Sequence, residues 1–252
     1  MANLVILSDA DNTLWDTDSV FAEAQLKLLS EVESAMDRRC SAGDRLDFVR
    51  SYDQALAAKH HLHFRYPPIM LVFALTDGLA GVDSGAAADA AITGSRLLRP
   101  PSVDIAEAIV GKYLGWLNRV PPLLPGVLEG LRLAGDAQLP VYVITEGKIE
   151  KQRKTVGHYN LEDRIAGIFE IAKNLSSFDR LRQRFSPAQV LVIGDQPDRD
   201  IAPAQSAECT TVLVPSRFRP TWNADARNEA SYVASDYHAA IAWAVERGKS
   251  GG

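Results

Sequence analysis

Two carboxylates one residue apart, Asp9 and Asp11, follow directly on an apolar run, Leu4-Val5-Ile6-Leu7. Like charges this close repel, and a shared proton or a cation relieves them. Their oxygen donors suit a hard ion such as Mg²⁺. A second acidic stretch, Gly194-Asp195 with Asp198 and Asp200, comes late in the chain and also follows an apolar run, Val190 to Ile193. Between the two lies Thr145, which ends the run Val141-Tyr142-Val143-Ile144 and precedes Glu146-Gly147. Its hydroxyl, with the unpaired N–H groups of a following helix, can hold a phosphate oxygen. An N-cap threonine is the plainer use of the same residue. Asp195 and Asp200 also suit a helix start, where the macrodipole favours negative charge. Four lysines stand between Thr145 and Asp195, namely Lys148, Lys151, Lys154 and Lys173.

The elements that must position these residues follow from hydrophobic period. Short, uniformly apolar, β-branched runs fit strands buried on both faces of a parallel sheet. Leu4–Leu7, Val141–Ile144, Ile168–Ile171, Val190–Ile193 and Thr210–Val214 read this way, with Tyr232–Val233 as a sixth. Helical segments fall between the later runs, at Val127–Ala134, Ile149–His158, Phe178–Phe185, Asp200–Ser206 and His238–Glu246. Strands alternating with helices predict a doubly wound parallel α/β sheet. In such sheets ligands sit outside the carboxyl ends of the strands, where the acids and Thr145 lie. The first run is followed instead by about a hundred residues with no strand-like alternation. There the pattern predicts helices over Val20–Val32 (capped by Asp18 or Ser19), Asp44–His60, Ala86–Leu98 and from Ser102 or Asp104 to Leu117, while the apolar run Ile69–Leu75 fits a buried helix or a strand, the helix preferred. The expected division is a Rossmann-like core of residues 1–16 and 120–252 with an all-helical domain, 17–119, inserted after strand 1.

The acids sit in a pattern that resembles the haloacid dehalogenase-like superfamily. Asp9, Asp11 and Thr13 match its first motif, DxDx(T/V), with Asn12 where the family often has Gly; Asn tolerates positive φ better than most residues. Thr145 resembles the second motif, and Gly194-Asp195 with Asp200 the fourth, GDxxxxD. The resemblance implies a third-motif lysine, best met by Lys173 just after the run Ile168–Ile171. It implies that the helical insert is a mobile cap, and that Trp15 and Asp16 belong to a hinge; a core tryptophan and a helix-capping aspartate are the alternative. It further implies Asp9 as nucleophile, Asp11 as acid and base, Thr145 and Lys173 as partners of the transferring phosphoryl group, and a Mg²⁺ ion held by the Asp9 carboxylate, the Asp11 backbone carbonyl and Asp195, with Asp200 just behind. Phosphatases and phosphomutases of this superfamily carry an acid where Asp11 stands, and its dehalogenases do not.

The expected activity is therefore Mg²⁺-dependent hydrolysis of a small phosphorylated metabolite through an aspartyl-phosphate. A phosphomutase, a non-enzymatic phospho-acceptor or a degenerate binding protein are the rivals. A net charge of −5 without a basic block leaves no electrostatic footprint for nucleic acid. No apolar run reaches membrane-spanning length, and the two distant cysteines, Cys40 and Cys209, read as reduced thiols of a cytoplasmic protein. His60, His61 and His63 lack an acid or cysteine at ligand spacing and read as a helix end. Asp198, Arg182, Arg184, Arg217 and Arg219 read as solvated, and nothing in the sequence bears on oligomeric state.

Overall fold

Successive side chains of a strand point to opposite faces, so a strand that is apolar at every position needs cover on both. Leu4–Asp9 is such a strand, β1, buried at all six positions in a computed structural model that describes residues 4–59, 66–95, 101–217 and 229–250. Its neighbours are β2 (Val141–Thr145) on one side and β4 (Gln189–Gly194) on the other, both parallel. β3 (Gly167–Glu170), β5 (Thr210–Leu213) and β6 (Tyr232–Val233) extend the sheet to six parallel strands in the order β3-β2-β1-β4-β5-β6. The register sets Ile6 opposite Val141 and Leu191, which brings the carboxyl ends of the three central strands level.

The two faces of β1 feed two cores. Leu4 and Ile6 join Val141, Val143, Leu191 and Ile193 beneath α6 (Val127–Asp136), α7 (Ile149–His158) and α10 (Tyr237–Ser250). Val5 and Leu7 join Val190 and Val192 beneath α8 (Leu175–Phe185) and α9 (Ala202–Ser206). The expected helix from Asp200 begins earlier, as a π-helical turn over Pro197–Ile201 that runs into α9. Pro197 lacks an N–H to lose, so the turn can start on it.

The insert after β1 holds α1 (Thr17–Met36), α2 (Arg45–Lys59), α3 (Pro68–Leu79), α4 (Ser84–Thr93) and α5 (Val103–Leu117), and no strand among the described residues. The chain divides into two compact units, Met1–Asp18 with Val120–Gly252, and Ser19–Arg119. The helical unit has its own core, built from Leu28, Leu29, Val49, Leu56, Leu71, Leu75 and Ile109 among others. Asp83 caps α4 through the Ala86 N–H at 3.0 Å, and Ser102 caps α5. Gly94, at φ 72°, ends α4 at Thr93, short of the expected Leu98, which lies outside the described residues. Inside this unit the buried Glu33 carboxylate accepts from Arg45 at 2.7 Å and from the Cys40 N–H at 2.8 Å; with Arg45 the strongest of its donors, it is held down to about 2. Among the described residues no helix is long and apolar enough to cross a membrane.

One expectation fails at the junction. α1 starts at Thr17, ahead of the expected caps Asp18 and Ser19. The Asp18 N–H is instead taken at 2.8 Å by the Asn12 side chain, six residues upstream and itself at φ 60°. A cap supplied by the preceding loop lies beyond what local spacing reveals.

Candidate active site

Asp9 is the last residue of β1, and the chain then turns back on itself. Leu14 N–H reaches the Ala10 carbonyl at 2.8 Å and Asn12 N–H reaches the Trp15 carbonyl at 2.8 Å. Leu14 and Trp15 are buried in the core and fix this loop from below. Trp15 bridges to Leu123, and Asp16 N–H donates to the Pro122 carbonyl at 2.8 Å. The first motif is thereby fastened to the segment returning toward α6.

Above β1, β3 and β4 three carboxylates and one ammonium meet. Donor oxygens of Asp9, Asp195 and Asp200, all buried, lie within 4.8 Å of one another. Lys173, on the loop after β3, places Nζ 2.5 Å from Asp9 Oδ1 and 2.6 Å from Asp200 Oδ1. The sequence brings Asp200 in through Gly194: a Cβ there would stand 2.3 Å from the Asp200 carboxyl carbon, so only glycine leaves room. The Gln196 N–H then holds Asp200 Oδ2 at 3.1 Å. Glu146, directly after Thr145, ties two of these pieces together. It accepts the Lys173 backbone N–H at 2.9 Å and pairs with Arg199 of the π-helical turn. Of the other lysines, Lys148 reaches only Glu170, at 3.9 Å on the surface, and Lys154 is exposed.

Burial is the dominant electrostatic fact. It raises the Asp9 carboxyl to about 7, with Lys173 opposing and Asp200 reinforcing the rise. It drives Asp195 well above the usual carboxylate range, with Asp9 and Asp200 adding to it. Burial alone would depress Lys173, but Asp200 and Asp9 outweigh it and hold the ammonium above its ordinary range. Asp195 Oδ1 is buried without a hydrogen-bond partner among the described residues. Buried oxygen donors short of positive charge, one of them unpartnered, fit a divalent cation.

Asp11 stands apart from this cluster. Thr17 Oγ1 donates to its Oδ1 at 2.7 Å, and Gln152 Nε2 to its Oδ2 at 3.3 Å. Gln152 also reaches Thr145 Oγ1, at 3.2 Å, and the Gly147 N–H donates to the same oxygen at 2.9 Å. Thr13 Oγ1 donates to Asp9 Oδ2 at 3.3 Å. The arrangement thus contains a buried carboxylate facing an ammonium, a second carboxylate held separately, and a hydroxyl at a strand end. Thr17, Glu146, Gln152 and Arg199 escape a reading by motif. Gln152 left one signal, as an uncharged polar residue among Lys151, Arg153 and Lys154 on α7. The histidines His60, His61 and His63, and Arg219, lie outside the described residues. Asp198, Arg184 and Arg217 are exposed, whereas Arg182 is half-buried and pairs with Asp179 at 3.1 Å and Glu208 at 3.4 Å, so it is not simply solvated.

Comparison with known proteins bears on the fold. The HAD-hydrolase-like family model matches residues 167–240, from β3 to the start of α10. No curated protein sequence matches the chain significantly. Among solved structures, a haloacid dehalogenase-like family hydrolase from Xanthomonas campestris is similar over 98% of this chain and 96% of its own, with a TM-score of 0.61 and 15% identity. A HAD-hydrolase from Bacillus subtilis bound to magnesium covers 92% of this chain and 94% of its own, at TM-score 0.58 and 18% identity. A predicted phosphoglycolate phosphatase from Haemophilus somnus covers 97% and 99%, at TM-score 0.59 and 15% identity. Identities this low carry the fold and nothing finer. The family model thus covers β3 to the start of α10, and the six-stranded sheet with its helical insert after β1 is the fold of these haloacid dehalogenase-like structures.

Proposed function

We propose that the chain is a Mg²⁺-dependent phosphohydrolase acting on a small phosphorylated metabolite. The observation that carries this reading is the separation of the acids: Asp9 faces Lys173 within the carboxylate cluster, while Asp11 is held outside it by Thr17 and Gln152. Such a division suits two different tasks. An Asp9 carboxylate oxygen attacks phosphorus, the bond to the leaving oxygen breaks, and Asp11 gives that oxygen its proton. Asp11 then takes a proton from water, whose oxygen attacks the aspartyl-phosphate; the bond to Asp9 breaks and inorganic phosphate leaves. Thr145 donates its hydroxyl proton to a phosphoryl oxygen, and Lys173 offsets charge on the same group. Asp9, Asp195 and Asp200, with the Asp11 backbone carbonyl, would hold Mg²⁺, which when bound supplies further positive charge against the phosphoryl oxygens. The test is phosphate release from a panel of phosphorylated metabolites, with Mg²⁺ and with chelator. Release confined to the Mg²⁺ arm is expected. Isomerised sugar phosphate appearing faster than free phosphate would favour a mutase instead, and undiminished release in chelator would remove the ion from the reading.

The cation should also register in stability. The folded chain holds the Asp9 proton up to about 7 against 3.8 for the free carboxyl, so the native state binds more protons than the unfolded one between those values. Stability in chelator should therefore fall as pH rises through that window and level off above it. Mg²⁺ should raise Tm more at pH 8 than at pH 5, because the Asp9 carboxyl is ionised at the higher pH and protonated at the lower. Equal Mg²⁺ shifts at both pH values would count against this site.

A further inference from the structure

Thr145 Oγ1 receives two donors, the Gly147 N–H at 2.9 Å and the Gln152 amide at 3.2 Å. A hydroxyl has two acceptor positions and one proton. With both positions taken, the Thr145 hydroxyl can only donate. The same Gln152 nitrogen lies 3.3 Å from Asp11 Oδ2, while Thr17 occupies Asp11 Oδ1. A single amide nitrogen therefore spans the hydroxyl of one motif and the carboxylate of another. Gln152 is 1% exposed, and its Oε1 has no partner among the described residues. Burying an amide with half of it unsatisfied costs stability. An apolar side chain would serve α7 better if packing were the purpose.

We infer that Gln152 is a positioning residue that acts through both groups. It makes Thr145 an obligate donor to the phosphoryl oxygen, and it sets the Asp11 carboxylate at a fixed separation from that donor. A phosphoryl group gripped by Thr145 then presents its leaving oxygen to Asp11. The inference rests on the phosphohydrolase reading and deepens it.

The experiment uses the full chain carrying Gln152→Met, which keeps the length of the side chain and removes its donors, and Gln152→Glu, which keeps its shape and replaces donor by acceptor. Each is assayed with p-nitrophenyl phosphate, whose leaving group needs little protonation, and with an alkyl phosphate the wild type hydrolyses. Removing one hydrogen bond to a charged group predicts that kcat for the alkyl ester falls about 10- to 100-fold further than for the nitrophenyl ester. Inhibition by inorganic phosphate should weaken by about tenfold, through Thr145. Equal losses on both esters with phosphate inhibition unchanged would overturn the inference, as would loss of folding in both variants, which would assign Gln152 to the core. Asp11→Asn is run alongside. A leaving-group split in that variant but in neither Gln152 variant sinks this inference alone, whereas a wild type that releases phosphate from neither ester sinks the reading beneath it.

Discussion

Asp9→Asn should lower turnover by on the order of 10⁴-fold or more, because under the proposed mechanism it deletes the attacking carboxylate rather than a group that assists it. The amide keeps the shape of the carboxylate, and Asp9 is buried at the end of a central strand, so the fold has no cavity to absorb. Stability makes the result diagnostic. Burial works against the ionised Asp9 and raises it to about 7, so at pH 8 in chelator a neutral residue there relieves a penalty. The variant should accordingly melt no lower than the wild type in chelator at pH 8 while being nearly inactive. Wild-type-like turnover would exclude the covalent route, and an unfolded variant would show that the Asp9 carboxylate is needed mainly to pair Lys173.

Lys173→Met should cost both activity and stability. The Lys173 side chain is only 6% exposed and its ammonium stands between Asp9 and Asp200, whose side chains are 5% and 0% exposed. Removing one member of a buried ionic group leaves the others uncompensated, at about 3–5 kcal/mol. The sign with pH is simple. Lys173 is raised above its ordinary value of 10.5, so its stabilisation is fully present at neutral pH and is lost only in strong alkali. The deficit should appear as a lower urea midpoint in chelator, and Mg²⁺ should return part of it by replacing the missing charge. Activity should fall about 10²- to 10³-fold, comparable to losing a charge-stabilising donor elsewhere. Lys151→Met and Lys154→Met serve as controls. A comparable loss in either, with Lys173→Met unaffected, would reassign the third motif.

What the sequence disclosed and what it hid divide along one line. The runs Val141–Ile144 and Val190–Ile193 within β2 and β4 announce themselves because an apolar residue at every position has few other uses. Asp9, Thr145 and Asp195 follow because chemistry in such sheets gathers at strand ends. Lys173 was separable from its three rivals only by its place after β3, and the ion pairs with Asp9 and Asp200 are spatial facts. Gln152 meets Asp11 across 141 positions, Glu146 meets the Lys173 backbone across 27, and Asn12 caps a helix it does not belong to. Such pairings come from the closing of the fold, so no local pattern encodes them. The same holds for the π-helical turn at Pro197, which carries an Asp200 packed against Gly194.

The place of β1 in the sheet sets an order of events during synthesis. It leaves the ribosome before its partners, for both of its neighbours, β2 and β4, come after the helical insert. At about 5–20 residues per second, the roughly 130 residues separating Asp9 from Val141 take on the order of ten seconds to appear. Throughout that interval a short, uniformly apolar strand has no sheet to enter, which is the circumstance in which unpaired edges recruit other chains. The helical unit carries its own core and is fully translated before the wait ends. Nascent chains of this protein should therefore engage a chaperone through residues 4–9, and hold it until β2 has emerged.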